Sequence, residues 1–424
     1  MNVETRTEPA HLPAPPRLGT VAAACLGVGL DVGRSSTRVV ICRVDRGELR
    51  YLGHGEAAAG GWDKGRIGDP REITLSVRTA LAAASRRAEV DVAAAVVGVA
   101  GSSVSGRVES FPYKIDRARR IDAADLALAG EQAAHAPVEP GRVLLQLLPV
   151  DFTLDGRERY RSPLGAVCSS LQANVMRITA PAHEHQCLTT AVQAAPLDVE
   201  ETVFGTFAAA YAAAGPEQRG RGVAVIDIGM HSTGIVIYDG DALVCATSLP
   251  LSADHFTRDL ALGLHAAHGL FLSCQDAETL KREHGCALRG LTNDGTVIQL
   301  PLVEGHPVQE VTGLQLNEVL EARAEELFAW VEREMAAAGM KNSLLEGVRL
   351  TGGGAQLAGM CDVADLVLNC DTGYGLPTGI RDWPRKIHTP AWTTAAGLAM
   401  YSARLKFEKD WKRRAPGLLG LLWR

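Results

Sequence analysis

The stretch Asp31-Val-Gly-Arg-Ser-Ser-Thr-Arg-Val-Val-Ile41 decides the fold, because the chain repeats it as Asp227-Ile-Gly-Met-His-Ser-Thr-Gly-Ile-Val-Ile237. Each copy follows an apolar run (26–30 or 223–226) and carries Asp-x-Gly and then Ser-Thr. Each then enters a β-branched run that ends at a turn, Asp45-Arg-Gly47 or Asp239-Gly-Asp241. The pattern predicts a β-hairpin followed by a third strand, twice over. The first turn of each copy leaves backbone N–H groups and hydroxyls facing whatever sits above it, and such turns make anion-binding concavities. Two of them can clamp one polyphosphate from both sides. A third element, Val348-Arg-Leu-Thr-Gly-Gly-Gly-Ala355, is a strand running into consecutive glycines, where backbone can approach a ligand closely.

This ordered set, Asp-x-Gly, Asp-x-Gly and Thr-Gly-Gly-Gly, resembles the nucleotide site of the actin, Hsp70 and sugar-kinase superfamily. The resemblance implies an α/β fold of two duplicated lobes closing over ATP, with two aspartates holding a hydrated Mg2+. That role suits a hard cation that keeps its waters and takes one or two carboxylates.

Composition fits an intracellular protein with more than one core. The chain has 424 residues, 46% of them hydrophobic, enough for two or more cores. Nine cysteines without a Cys-x-x-Cys pair indicate neither a disulfide framework nor a zinc site, and read as buried thiols in a reducing compartment. A net charge of -6 argues against nucleic acid as a partner. Pro9, Pro13, Pro15 and Pro16 mark a disordered tail, placed over residues 1–26. The apolar stretch 18–30 is too short to span a bilayer. Ala22-Ala-Ala-Cys25 has the look of a lipoprotein-processing site, but residues 27–31 are needed as the first strand.

The spacing predicts a first lobe from 27–91 and 179–221, to which 390–405 returns, and a second lobe from 222–258 and 338–389. An α+β subdomain is inserted at 92–178, with strands at 92–98, 104–112, 142–152 and 171–178, a helix near 122–135 and a turn at 154–162. Residues 259–337 form a second insertion, with an extended stretch at 296–303 and a long helix at 316–338. Further helices are expected at 73–88, 184–195, 253–268 and 275–285.

In detail the chain resembles the family of FtsA, the actin-like bacterial cell-division protein. The resemblance rests on Gly61-Trp-Asp-Lys-Gly65, Leu147-Leu-Pro-Val-Asp-Phe152, Ser162-Pro-Leu-Gly165, Ala277-Glu-Thr-Leu-Lys281, His284-Gly-Cys-Ala287 and Thr389-Pro-Ala-Trp-Thr-Thr-Ala-Ala-Gly397. It implies that Asp31 and Asp227 hold Mg2+ through water. Gly33, Ser35, Ser36, Gly229, Ser232 and Thr233 would line the phosphates. Gly352, Gly353 and Gly354 would approach the adenosine of ATP, with Glu278 and Lys281 near its base or ribose. Charges spaced as Glu278 and Lys281 are also suit a solvated helix face.

Departures from the family pattern bear on turnover. Ser36 stands where many members carry a lysine, removing a point charge from the phosphate turn. Met230-His231-Ser232 replaces Gly-Gly-Thr, and Gly205 offers no general base. His231, a loop histidine with no visible partner, is expected to face solvent. No catalytic residue is assigned, and hydrolysis is expected to be slow or absent.

The C-terminus is basic and apolar at once. Lys406, Lys409, Lys412, Arg413, Arg414 and Arg424 outnumber Glu408 and Asp410. If residues 406–424 are helical, Trp411, Ala415, Leu418, Leu419, Leu422 and Trp423 share one face. Flanked by Lys412, Arg413 and Arg414, that face fits a helix lying in an anionic membrane surface, similar to FtsA's membrane-targeting helix. Resemblance also implies an FtsZ C-terminal peptide bound near Glu318, Glu321 and Arg323, although Gly313 stands where some members have arginine. It further implies self-association, contact with later division proteins through 92–178, and a place on the cytoplasmic face of the inner membrane at the septum. Two alternatives share the fold: a type IV pilus assembly protein of the PilM kind, and a sugar or acetate kinase. The kinase lacks a placed catalytic carboxylate, and neither needs a membrane tip of its own.

Overall fold

The computed structural model describes residues 25–292, 295–300, 309–340 and 343–414. Its first unit is the hairpin and third strand expected of the first repeat: β1 (Cys25–Val32), β2 (Ser36–Asp45) and β3 (Glu48–Ala58). They pair antiparallel, with Asp31 opposite Arg38 and Arg38 opposite Glu56. A small hairpin, β4 (Trp62–Asp63) and β5 (Arg66–Ile67), leads to α1 (Pro70–Ala88). Asp69 caps α1 by accepting from the Arg71 N–H, and proline occupies the first turn, where a missing N–H costs nothing. The helix buries Ile73, Val77, Ala80 and Ala84 against the sheet, and β6 (Ala94–Val99) then runs parallel to β1.

The strand expected at 92–98 as part of the insertion is thus β6 of the first lobe's sheet, because it pairs with β1, and a unit with its own small core follows it. It comprises β7 (Ser105–Arg120), α2 (Ala123–His135), β8 (Arg142–Leu154), β9 (Glu158–Tyr160) and β10 (Val167–Pro181). Strand β10 lies between β7 and β8, antiparallel to both. Ile115, Ile121, Ala129, Ala133, Phe152 and Leu171 are buried together beneath α2. β7 runs to Arg120, well past the expected end at Pro112, because β10 starts early enough to pair with it as far as Val167. The chain returns through α3 (Ala182–Gln193), β11 (Asp198–Phe204), α4 (Gly205–Ala213) and α5 (Pro216–Gly220), with β11 parallel to β6.

The second repeat forms β12 (Val223–Ile228), β13 (Thr233–Asp239) and β14 (Ala242–Leu249), with Asp227 opposite Gly234. Helices α6 (Ala253–His268) and α7 (Cys274–His284), the hairpin β15 (Val297–Gln299) and β16 (Glu310–Thr312), and α8 (Gly313–Ala337) come next. Helix α8 begins at Gly313 rather than 316, because Thr312 and Gln315 form a capping box. Of the extended stretch expected at 296–303, 297–299 is strand and 301–303 lies outside the described residues. β17 (Val348–Thr351) runs parallel to β12 into the glycines. α9 (Met360–Leu368), β18 (Thr372–Tyr374), β19 (Ile380–Arg381) and α10 (Thr393–Arg414) complete the fold.

Two sheets result. The first has the order β11-β6-β1-β2-β3-β19, the second β18-β17-β12-β13-β14. The insertion's strands join the far edge of the second sheet by one residue pair, Thr247 with Ser105. One core fills the first lobe and reaches Val223, Val225 and Val236 of β12 and β13, a smaller one packs α10 against β2, and another runs from the other face of β12–β14 to α6, α8 and α9. Helices α4 and α10 cross at Gly397, where a Cβ would stand 1.8 Å from the Ala208 carbonyl oxygen. Only glycine allows that approach.

The backbone of α10 is helical through Arg414, so Trp411, Lys412, Arg413 and Arg414 lie on its last turn. Leu418, Leu419, Leu422 and Trp423 lie outside the described residues, as does the proline-rich tail 1–17. Among the described residues no helix is long and apolar enough to cross a membrane.

Candidate functional site

The turns of the two hairpins face each other across a cavity of about 930 Å³. The first hairpin contributes Asp31, Gly33, Ser35 and Ser36, and the second Asp227, Gly229 and Ser232. Gly352, Gly353 and Gly354 enter from the end of β17, and Glu278 and Lys281 from α7. Residues spread over most of the chain thus converge on one cleft.

Both aspartates are part-buried at the floor of the cleft. Burial pushes the Asp31 carboxyl up from 3.8 to about 6, with Arg38 opposing the rise and the Asp227 charge adding to it. Asp227 is raised for the same main reason, against a hydrogen bond from Thr394 and the charge of Arg38. Desolvation disfavours the charged form, and a bound cation would restore it. Ser36 Oγ is buried without a hydrogen-bond partner among the described residues, although an orphaned hydroxyl inside a protein is costly. This donor set fits a hydrated cation beside phosphate oxygens. Among the described residues no group of three or more His, Cys, Asp or Glu side chains could hold a metal, so such an ion would take its remaining ligands from water and phosphate.

Gly352 has φ +84°, and a Cβ there would stand 2.3 Å from Asp227 Oδ1. Both the conformation and the space demand glycine. A Cβ on Gly353 would meet nothing within 4 Å, so its bare backbone faces open space.

Lys281 is not on a solvated helix face. Only 8% exposed, its ammonium donates to the Ala253 carbonyl at 3.1 Å and Thr257 Oγ1 at 2.7 Å, and pairs with Glu278 Oε2 at 2.5 Å. Burial lowers the lysine pKa while Glu278 opposes it. The group ties α7 to α6 at the edge of the cavity.

Two expectations are corrected. Thr233 does not line the cavity: it is fully buried and donates to the Leu251 carbonyl at 2.7 Å, because β13 begins there and turns the side chain inward. His231 does not face solvent unpartnered. It is half-buried with Nδ1 3.7 Å from Asp254 Oδ2, since the Ala253 and Asp254 N–H groups dock α6 onto the Gly229 and Met230 carbonyls, each at 3.0 Å.

Several cavity residues carried no flag in the sequence. Arg38 and Glu56 line it, and their signal was the hairpin register that sets them opposite Asp31 in one row. Arg34 lies over Trp62 at 4.6 Å and donates to the Gly65 carbonyl at 2.7 Å. Thr394 and Thr206 reach in from α10 and α4. The residues assigned to peptide binding lie elsewhere, on α8. Glu318 and Glu321 both pair with Arg289, while Arg323 is held by Asp259 and Glu326. Arg323 is therefore engaged within the chain.

The chain is similar to known proteins along most of its length. A family model described as cell division protein FtsA matches residues 224–397, and one described as the SHS2 domain inserted in FtsA matches 101–179. Cell division protein FtsA of Pseudomonas aeruginosa is 27% identical over 385 residues, covering 91% of each chain. That of Escherichia coli K12 is 27% identical over 408 residues, covering 93% of this chain and 95% of its own. A chain of the PilM-PilN type IV pilus biogenesis complex shares the fold, with a TM-score of 0.61 at 18% identity over 89% of this chain and 98% of its own. The two family models together match more than half of the chain and the relatives align along nearly all of it, and the chain belongs to the FtsA family of actin-like cell-division proteins.

Proposed function

We propose that this protein is an ATP-binding adaptor of cell division that self-associates and tethers the FtsZ ring to the cytoplasmic face of the inner membrane. The observation that carries the nucleotide part is the facing pair of part-buried aspartates, Asp31 and Asp227, with the Ser36 hydroxyl beside them, unpartnered among the described residues. Magnesium, when bound, would supply the positive charge that lets both carboxylates ionise beside the phosphates. Asp31 and Asp227 would orient its waters, and Ser36, Ser232 and the hairpin-turn N–H groups would donate to phosphate oxygens. The glycines 352–354 let the nucleotide lie against backbone, with Glu278 and Lys281 closing its base end. Turnover is expected far below the usual enzyme range of about 1 to 10³ per second.

The tethering part rests on the sequence of the basic Trp-Leu tip and on family membership. It places Trp411 to Trp423 at the membrane of the septum and the FtsZ peptide at the α8 region, with later division proteins at 92–178. Titration calorimetry tests the nucleotide site directly: Asp227→Ala should weaken MgATP binding at least tenfold. Equal affinity in both proteins would remove the basis of the reading.

A further inference from the structure

The two hairpins align residue for residue, and two arginines of the first have no counterpart in the second: Arg34, turned toward Trp62 and the Gly65 carbonyl, stands where the second has Met230, and Arg38 where it has Gly234. Directly opposite the aspartate stands Arg38 in the first hairpin and Gly234 in the second. In the second hairpin a side chain has no room, since a Cβ on Gly234 would lie 1.8 Å from Thr206 Oγ1. At the position opposite the aspartate, a cation therefore enters the cleft from the first lobe only.

Arg38 belongs to a straight row across three strands, Asp31, Arg38 and Glu56, in which each residue faces the next. Directly opposed residues share one face of a sheet, and all three line the cavity. Glu56 Oε1 accepts from Nε and pairs with Nη2, each at 2.9 Å, while the guanidinium lies 5.5 Å from the Trp392 ring centre. Nη1 makes no hydrogen bond to a described residue. A planar guanidinium held on one edge and one face, with its other edge unspent, is well suited to a phosphate oxygen.

We propose that Arg38 is the resident counter-cation of the cleft, sharing with the metal the neutralisation of Asp31, Asp227 and the nucleotide phosphates, so that nucleotide binding survives removal of the divalent ion. One arginine does not cancel two aspartates and a triphosphate, so the metal still strengthens binding. Arg38 makes the requirement partial instead of absolute. This inference rests on the nucleotide reading of the site.

The test is calorimetric titration of the full-length protein with ATP and with ADP, in Mg2+ and in EDTA. Wild type should keep affinity in EDTA within about a hundredfold of its value in Mg2+. Arg38→Gln should lose metal-free binding while weakening about tenfold in Mg2+, and Arg38→Lys should recover part of both. Glu56→Gln decides between a ligand-facing charge and a structural brace. By releasing the guanidinium it should raise metal-free affinity, whereas a brace predicts that it falls as in Arg38→Gln. Wild type that binds in Mg2+ and not at all in EDTA overturns the proposal, as does equal metal-free affinity in Arg38→Gln. Should Arg38→Gln fail to fold, wild type in EDTA and Glu56→Gln still decide. Absence of binding in Mg2+ as well would instead overturn the nucleotide site itself.

Discussion

Thr394 donates its hydroxyl proton to Asp227 Oδ2 at 3.0 Å, so the first turn of α10 holds the aspartate of the second hairpin. The two residues are 167 positions apart. The same helix packs along β1, the strand that carries Asp31. One helix therefore touches both halves of the duplicated site, and its position bears on the geometry of each aspartate.

Thr394→Val keeps the shape of the side chain and removes the donor. A hydrogen bond to a charged group contributes about 1.5–3 kcal/mol. MgATP affinity should fall roughly tenfold, at 1.4 kcal/mol per decade, with the fold intact by circular dichroism. An unchanged dissociation constant would show that Asp227 is held without this bond.

Gly352 and Gly353 are adjacent and should respond oppositely. Gly352→Ala forces a left-handed conformation on alanine, costing about 1–2 kcal/mol before its Cβ meets Asp227. Its thermal midpoint should drop by several degrees and MgATP binding should be lost. Gly353→Ala meets no protein atom within 4 Å and should leave the midpoint within about a degree of wild type. Matching losses of stability in the two variants would contradict this geometry.

Asp31 makes the free protein's stability depend on pH in a stated direction. Its carboxyl is raised from 3.8 to about 6 in the fold, so between those values the folded state holds a proton that the unfolded chain has released. Stability contributed here is present below about pH 4, falls as pH rises to about 6, and stays lost above that. The full change is on the order of 3 kcal/mol. Asp31→Asn should abolish this slope, so urea unfolding of the nucleotide-free variant should gain on wild type from pH 4 to pH 7. A constant difference across that range would exclude the buried carboxyl as its source.

Deleting residues 412–424 tests the tip. Burial of Leu418, Leu419, Leu422 and Trp423 contributes at roughly 25 cal/mol per Å² of apolar surface. Lys412, Arg413 and Arg414 add on the order of 1 kcal/mol each near anionic lipid, screened by salt. Two modest terms give reversible attachment, which self-association would strengthen by presenting many tips together. The truncated protein should fold and bind nucleotide yet stay in the supernatant with anionic vesicles, and Trp423→Glu should do most of the same. Co-sedimentation of the truncated protein would place the membrane contact elsewhere.

Much of the cleft could be read in advance because its recognition elements are local. A strand, a tight turn and a return strand carry their signal within about a dozen residues, through period-two alternation and glycine at the turn. Asp31 and Asp227 were legible for that reason, as was the glycine run 352–354. Thr233 was misread because its role turns on which residue starts β13, and a shift of one position flips a side chain to the other face. His231 was misread because its partner, Asp254, comes from the next helix, docked on the turn by backbone hydrogen bonds.

By itself the sequence determined the duplicated hairpins and the glycine-rich approach, since these follow from backbone conformations that short stretches impose. Tertiary structure alone decided which charges meet. It brought Thr394 to Asp227, buried Lys281 against Thr257 and engaged Arg323 with Asp259. Those contacts depend on sheet register and helix packing, and on burial that strengthens one charge's hold on another. None of these is encoded in the spacing of the residues themselves.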